Sequence, residues 1–189
     1  MFSQNRKSVI FITHRKENQK NLKGRYDLVI VGIDPGYAIV GVGIVKYAKN
    51  KLEMMEYGAI TTQAHTKTTQ RLGIIYEKIN EVFDLYKPDA VAVEELFFNS
   101  NAKTAISVAQ ARGVLLVSAA NKGIPVYEYT PLQIKQAITG YGRADKQQMQ
   151  QMVKMLLNLN VIPKPDDAAD ALAVGICHAH SYGTNSETV

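Results

Sequence analysis

Apolar and polar positions along this chain change period twice, and the changes divide it into elements. Between Asp27 and Asp34 the run Leu-Val-Ile-Val-Gly-Ile does not alternate, the pattern of a strand buried on both faces. Pro35-Gly36 closes a tight turn after it. Ile39–Tyr47 alternates around Gly41 and Gly43, Lys49-Asn50-Lys51 is a hairpin turn, and Leu52–Ile60 alternates again. Three strands on short turns predict an antiparallel meander.

The spacing then becomes helical. Thr68–Tyr86 sets Leu72, Ile75, Ile79, Val82 and Phe83 on one face, and Pro88-Asp89 stops it. Ala90–Glu94 reads as a fourth strand, Thr104–Asn121 as a helix rich in Ala, Gly and Ser, and Ile124–Tyr129 as a fifth strand. Helices follow at Pro131–Ile138 and Lys146–Leu157, then at Asp167–His180 after the breaks at Pro163 and Pro165. A meander followed by two βα crossovers predicts an α/β fold: a mixed five-stranded sheet with helices on both faces. The first, fourth and fifth strands would run parallel, and ligands in such sheets gather at the strands' carboxyl ends.

Composition agrees with one ordinary soluble domain: 189 residues, 46% hydrophobic and 21% charged. The single cysteine, Cys177, forms neither an internal disulfide nor a cysteine-based zinc site, which suits a reducing, cytoplasmic setting. The longest apolar runs, Val29–Ile33 and Gly113–Ala120, are too short to cross a bilayer. The net charge of +5 is unevenly placed: residues 1–25 hold seven Lys/Arg against one acid, whereas residues 26–189 hold 15 against 16. We read 1–25 as a basic, disordered extension in which Val9–Ile12 could form one short edge strand, and 26–189 as the folded domain.

The candidate chemistry lies in four acids. Asp34 ends the first strand and Glu94 the fourth, each after an apolar run, so adjacent strands would set two carboxylates against a core. Such a pair repels, and a hard divalent cation with oxygen ligands resolves the repulsion. Glu94 and its neighbour Glu95 point to opposite faces on strand alternation, so only one of them can line the site. Taken alone, Asp34 reads equally well as a cap of its own turn. Asp167 and Asp170 stand at i,i+3 on one helix face. Capping at a helix start would account for Asp166 and Asp167, but less well for Asp170 among Ala168, Ala169, Ala171, Leu172 and Ala173. Two strand-end acids and a helical pair could clamp two Mg²⁺ ions about 3.5–4 Å apart for in-line phosphodiester hydrolysis.

Four motifs then resemble one family. Val31-Gly-Ile-Asp-Pro-Gly36, Val93-Glu-Glu-Leu-Phe-Phe98, Ala109-Gln-Ala-Arg-Gly113 and Asp167-Ala-Ala-Asp-Ala-Leu-Ala173 are similar, in order and spacing, to the RuvC family of Holliday junction resolvases. The resemblance runs from about residue 28 to residue 180. It implies an RNase H-like fold, a homodimer, Mg²⁺-dependent paired nicking of four-way DNA junctions, and a branch-migration motor complex of the RuvA and RuvB type as partner. By motif it makes Asp34, Glu94, Asp167 and Asp170 the catalytic, metal-holding carboxylates. It also matches Phe97, with Phe98 beside it, to an aromatic that stacks on junction bases, and Lys135 and Lys146 to lysines near the phosphates. Arg143 stands in a glycine-flanked stretch that could add a phosphate contact.

Other features are bland by comparison. His178 and His180 do not share a helix face, so a joint metal site is not expected, and His178 reads as a packed or solvated side chain. Cys177 and the methionines of 149–155 read as packing. Helix Thr104–Asn121, with Ala105, Ala109, Arg112 and Leu116 near one face, is the expected dimer surface. Members of the resembled family start within a few residues of the first strand. The extra 25 residues here are therefore either a DNA-binding arm or a product of an upstream start, with Leu28 and Val29 as alternative starts. Rival readings are a branched-DNA-binding protein without activity, an RNase H-like nuclease with an RNA substrate, and half of an actin-like ATPase. The last needs more than twice this length.

Overall fold

Strand pairing carries the predicted meander and both crossovers into one sheet. The computed structural model describes residues 9–11, 27–96 and 102–186. Strands β1 (Val9–Phe11), β2 (Leu28–Asp34), β3 (Ile39–Ala48), β4 (Lys51–Thr61), β5 (Ala90–Glu94) and β6 (Val126–Tyr129) take the order β1-β4-β3-β2-β5-β6. Strands β2, β3 and β4 are antiparallel, and β2-β5-β6 run parallel. The expected five strands are thus present. Val9–Phe11 adds the short antiparallel edge strand on β4, from Val9↔Ile60 to Phe11↔Gly58; the rest of the 1–25 extension lies outside the described residues.

Helices α1 (Thr68–Tyr86) and α2 (Ala102–Asn121) cover one face of the sheet, and α5 (Asp166–Ser186) covers the other with α3 (Pro131–Thr139) and α4 (Lys146–Leu156). The pleat sorts the core accordingly. Val29, Val31 and Ile33 join Ile75, Ile79 and Phe83 on the first face, while Ile30 and Ala92 join Leu172 and Ile176 on the second. Helix α5 begins one residue earlier than expected and runs past His180 to Ser186. Of the methionines read as packing, Met149 is buried, whereas Met155 is exposed.

Helix α5 lies unusually close to β2 and β3. A Cβ on Gly32 would stand 2.1 Å from the Ala171 carbonyl oxygen, one on Gly41 2.0 Å from that of Asp167, and one on Gly43 2.7 Å from the Leu172 nitrogen. Gly32 and Gly43 are cross-strand partners, and Gly41 pairs with Asp34. Gly32 of β2 and Gly41 and Gly43 of β3 are the floor on which the helix rests.

This contact sets a stability prediction. Gly43→Ala must push backbone against backbone and should lose about 1–3 kcal/mol. Gly73→Ala, in α1 with nothing within 4 Å of the added carbon, should gain about 0.5–1 kcal/mol. Urea unfolding of the two variants beside the parent checks both signs.

Candidate active site

The two strand-end acids come together as their neighbours' burial requires. Alternation that sends Ile30 and Ala92 into the α5-side core sends Asp34 and Glu94 to the same side. Strand β2 pairs with β5 in parallel up to Ile33↔Val93, so the next residues, Asp34 and Glu94, sit side by side at the strand ends. Glu95 faces away, lining with Leu96, Ala109, Arg112 and Glu128 a cavity of about 340 Å³ on the α2 side.

The α5 contact supplies the other pair. Gly41, opposite Asp34, receives the backbone of Asp167 against it, and Asp170 follows one turn along. The four carboxylates share one electrostatic field. Asp34 is pushed up to about 7, by burial first and then by Glu94, Asp170 and Asp167, with Lys146 opposing. Glu94 rises to about 6 through burial and Asp170, against the pull of Lys135. Burial also raises Asp170, with Lys146 drawing it back down. No core residue needs this arrangement, and acids placed so that each raises the next point to function.

The turn after Asp34 is held from its far side. The Tyr37 carbonyl accepts from the Thr62 hydroxyl at 2.7 Å and from Arg71 Nη2 at 3.1 Å. Arg71 Nε donates to Thr62 Oγ1 at 2.7 Å, and its guanidinium lies 3.7 Å from the centre of the Tyr37 ring. Nothing in the sequence pattern marked Arg71 for this place.

Cations flank the acids. Lys146, first residue of α4, stands 3.5 Å from Asp170 Oδ2 and 3.4 Å from Asp166 Oδ2. Lys164 Nζ donates to Asp166 Oδ1 at 2.6 Å. Asp166 is therefore an anchor for two exposed lysines beside the site, a role the capping argument missed and only the folded chain reveals. Lys135, on α3, is half-buried and near enough for its charge to act on Glu94. Arg143 is exposed in the α3–α4 turn, and no contact draws it to the carboxylates. Phe97 and Phe98 lie outside the described residues.

The donor set suits a hard divalent cation: carboxylate oxygens only, part-buried, with more negative charge than two lysines offset. As placed, no three acidic, cysteine or imidazole side chains among the described residues form a finished ligand shell. Lys146 instead lies against Asp170, so closing a shell means turning carboxylates inward and moving that ammonium.

The raised acids fix the sign of a pH effect. Folded Asp34 keeps its proton to about 7, whereas the unfolded chain gives it up near 4. Folding is therefore favoured below that lower value and loses this contribution as pH rises from about 4 to 7. The thermal midpoint should fall from pH 5 to pH 8 in the parent and fall less in Asp34→Asn. Added Mg²⁺ at pH 8 should restore the parent more than the variant. A differential scan at both pH values, with and without Mg²⁺, makes the comparison.

Comparisons with known proteins agree on one group. Residues 30–178 match the family described as crossover junction endodeoxyribonuclease RuvC. A protein of that description from Clostridioides difficile (strain 630) is 58% identical over 154 residues, 82% of this chain and 91% of that one. The Thermus thermophilus RuvC structure superposes with a TM-score of 0.78 at 37% identity, over 84% of this chain and 97% of that one. T. thermophilus RuvC in complex with Holliday junction substrate gives a TM-score of 0.76 at 36% identity, over the same shares.

Proposed function

The chain belongs to the RuvC family of crossover junction endodeoxyribonucleases, and from that premise we propose that it resolves four-way DNA junctions by symmetric, paired nicks in DNA recombination and repair. Its fold is RNase H-like. The observation that carries the proposal is the coupled set Asp34, Glu94, Asp167 and Asp170 at one edge of the sheet. The catalytic reading rests on that set together with family membership.

Those four carboxylates would hold two Mg²⁺ ions. Held by these side chains, divalent cations would supply an activated water and stabilisation for the charge that develops on the leaving 3′ oxygen. Water attacks phosphorus in line with the P–O3′ bond, leaving a 5′ phosphate and a 3′ hydroxyl. Lys146, beside Asp170, neutralises a phosphate oxygen next to the cut, and Lys135 does so on the Glu94 side. Arg143 adds a backbone contact from the α3–α4 turn. Phe97 and Phe98, three and four residues beyond Glu94 in the sequence, would stack on bases unpaired at the crossover.

Two cuts in opposed strands call for two sites, and a homodimer provides them. On α2, Ala111, Leu115, Ser118 and Ala119 are buried, and Arg112 is tied to Glu128 of β6. The outward stripe is Ile106, Gln110, Gly113 and Val117, with Ile106 65% exposed. A dimer built on this stripe would use Ile106 and Val117 in place of the Arg112 and Leu116 of the sequence expectation, with Ala109 exposed beside them. A branch-migration motor of the RuvA and RuvB type would deliver the junction. Among the described residues no helix is long and apolar enough to cross a membrane, which fits a cytoplasmic protein.

A cleavage assay tests the proposal, with a synthetic four-way junction in Mg²⁺ beside linear duplex, an RNA–DNA hybrid and Asp34→Asn. Symmetric nicks on the junction alone, lost in Asp34→Asn while junction binding survives, are expected. Tight binding without any cut in Mg²⁺ or Mn²⁺ would favour an inactive binding protein, and cleavage of the hybrid alone would reject the DNA substrate. Ile106→Glu should give a monomer by sedimentation and turn paired nicks into single ones.

A further inference from the structure

His178 and His180 sit two and nearly three turns beyond Asp170 on α5, away from the acids, and the chemistry above does not use them. His178 is 3% exposed, and its imidazole holds the edge strand β6. The Tyr129 hydroxyl meets His178 Nδ1 at 2.7 Å, and the Tyr127 ring lies 4.3 Å away, centre to centre. Ser181, one turn further along, also bonds the Tyr129 phenol. The other ring nitrogen, Nε2, is buried and has no hydrogen-bond partner among the described residues. An unpaired buried polar atom works against folding, so an apolar ring would pack here at less cost. The one thing it could not do is hold Tyr129.

Tyr129 is well placed to matter. It is the cross-strand partner of Glu94, and its carbonyl accepts from the Glu95 amide at 2.9 Å. The next residue, Thr130, caps α3, whose second turn carries Lys135, the ammonium acting on Glu94. Further along α3, the Ala137 carbonyl accepts from His180 Nδ1 at 3.1 Å. Helix α5 therefore grips the β6–α3 corner at His178 and His180, while its first turns present Asp167 and Asp170.

We propose that His178 is a positioning residue: through Tyr129 it locks the β6–α3 corner to α5, and so sets Glu94 and Lys135 in register with Asp167 and Asp170. Strand β6 is four residues long and lies at the sheet edge. Backbone pairing to β5 alone would let the corner slide, and small misplacements at a site of this kind cost large factors in rate. The inference rests on the resolvase reading, and its test separates the two.

Tyr129→Phe deletes one hydroxyl, His178→Phe removes the acceptor and the orphaned nitrogen together, and His178→Asn can restore a polar atom near Nδ1. Single-turnover junction cleavage at saturating Mg²⁺ should fall about tenfold or more in both Phe variants. Junction affinity should stay within about twofold and the melting midpoint should be unchanged or higher in His178→Phe. The double variant should be no slower than Tyr129→Phe alone, and His178→Asn should recover part of the rate. Hydrogen exchange should quicken across 126–139 in both Phe variants while the rest of the sheet keeps its protection. Parent-like rates, or a rate loss that only follows a lower melting midpoint, would overturn the proposal, as would unchanged exchange at 126–139. A parent chain that leaves the junction intact would sink the resolvase reading, and the exchange data would still decide the clamp.

Discussion

Helix α5 can lie on strands β2 and β3 only because no side chain stands between them. At Gly32, Gly41 and Gly43 an added Cβ would meet helix backbone at 2.0 to 2.7 Å. Backbone-to-backbone contact of this kind leaves little freedom to slide, since protein interiors are close-packed and do not deform continuously. The site depends on it twice. It sets the start of the helix, with Asp167 and Asp170, beside Asp34, and its rigid length carries the same placement back to His178 and the β6–α3 corner.

What that placement builds is electrostatically unfavourable. Asp34 at about 7 and Glu94 at about 6 are acids held where their charge is resisted, by burial first and by one another second. Lys146 and Lys135 offset part of it, and Asp166 holds Lys146 and Lys164 nearby. A fold selected for stability alone would place amides or apolar groups here. On the proposed function, a site that would receive divalent cations and DNA has reason to keep both the excess of carboxylates and the reserve of exposed lysines.

Much of this was legible in the residues. Unbroken apolar runs before Asp34 and Glu94 marked two buried parallel strands ending in acids; alternation said that only one of Glu94 and Glu95 could line the site, and the family motif chose Glu94. The i,i+3 spacing of Asp167 and Asp170 on an alanine-rich helix marked a packed face carrying charge. Other features were hidden because they depend on which backbones meet. Gly41 and Gly43 entered the sequence pattern only as positions around which a strand alternates; that α5 rests on them shows only in the fold. Arg112 read as part of an outward face, but Glu128 across the fold turns it toward β6. His178 was expected to be packed or solvated, and it is packed; that it packs by gripping the neighbour of Glu94 depends on strand register, which periodicity does not encode.

We propose that close docking of α5 gathers Asp34, Glu94, Asp167 and Asp170 into one cation-binding centre. Anomalous diffraction from crystals soaked in Mn²⁺ tests it most directly. The account predicts density enclosed by Asp34, Glu94, Asp167 and Asp170, with the Lys146 ammonium displaced from Asp170. Ordered carboxylates with no Mn²⁺ between them at saturating concentration, or Mn²⁺ bound only elsewhere on the chain, would contradict it.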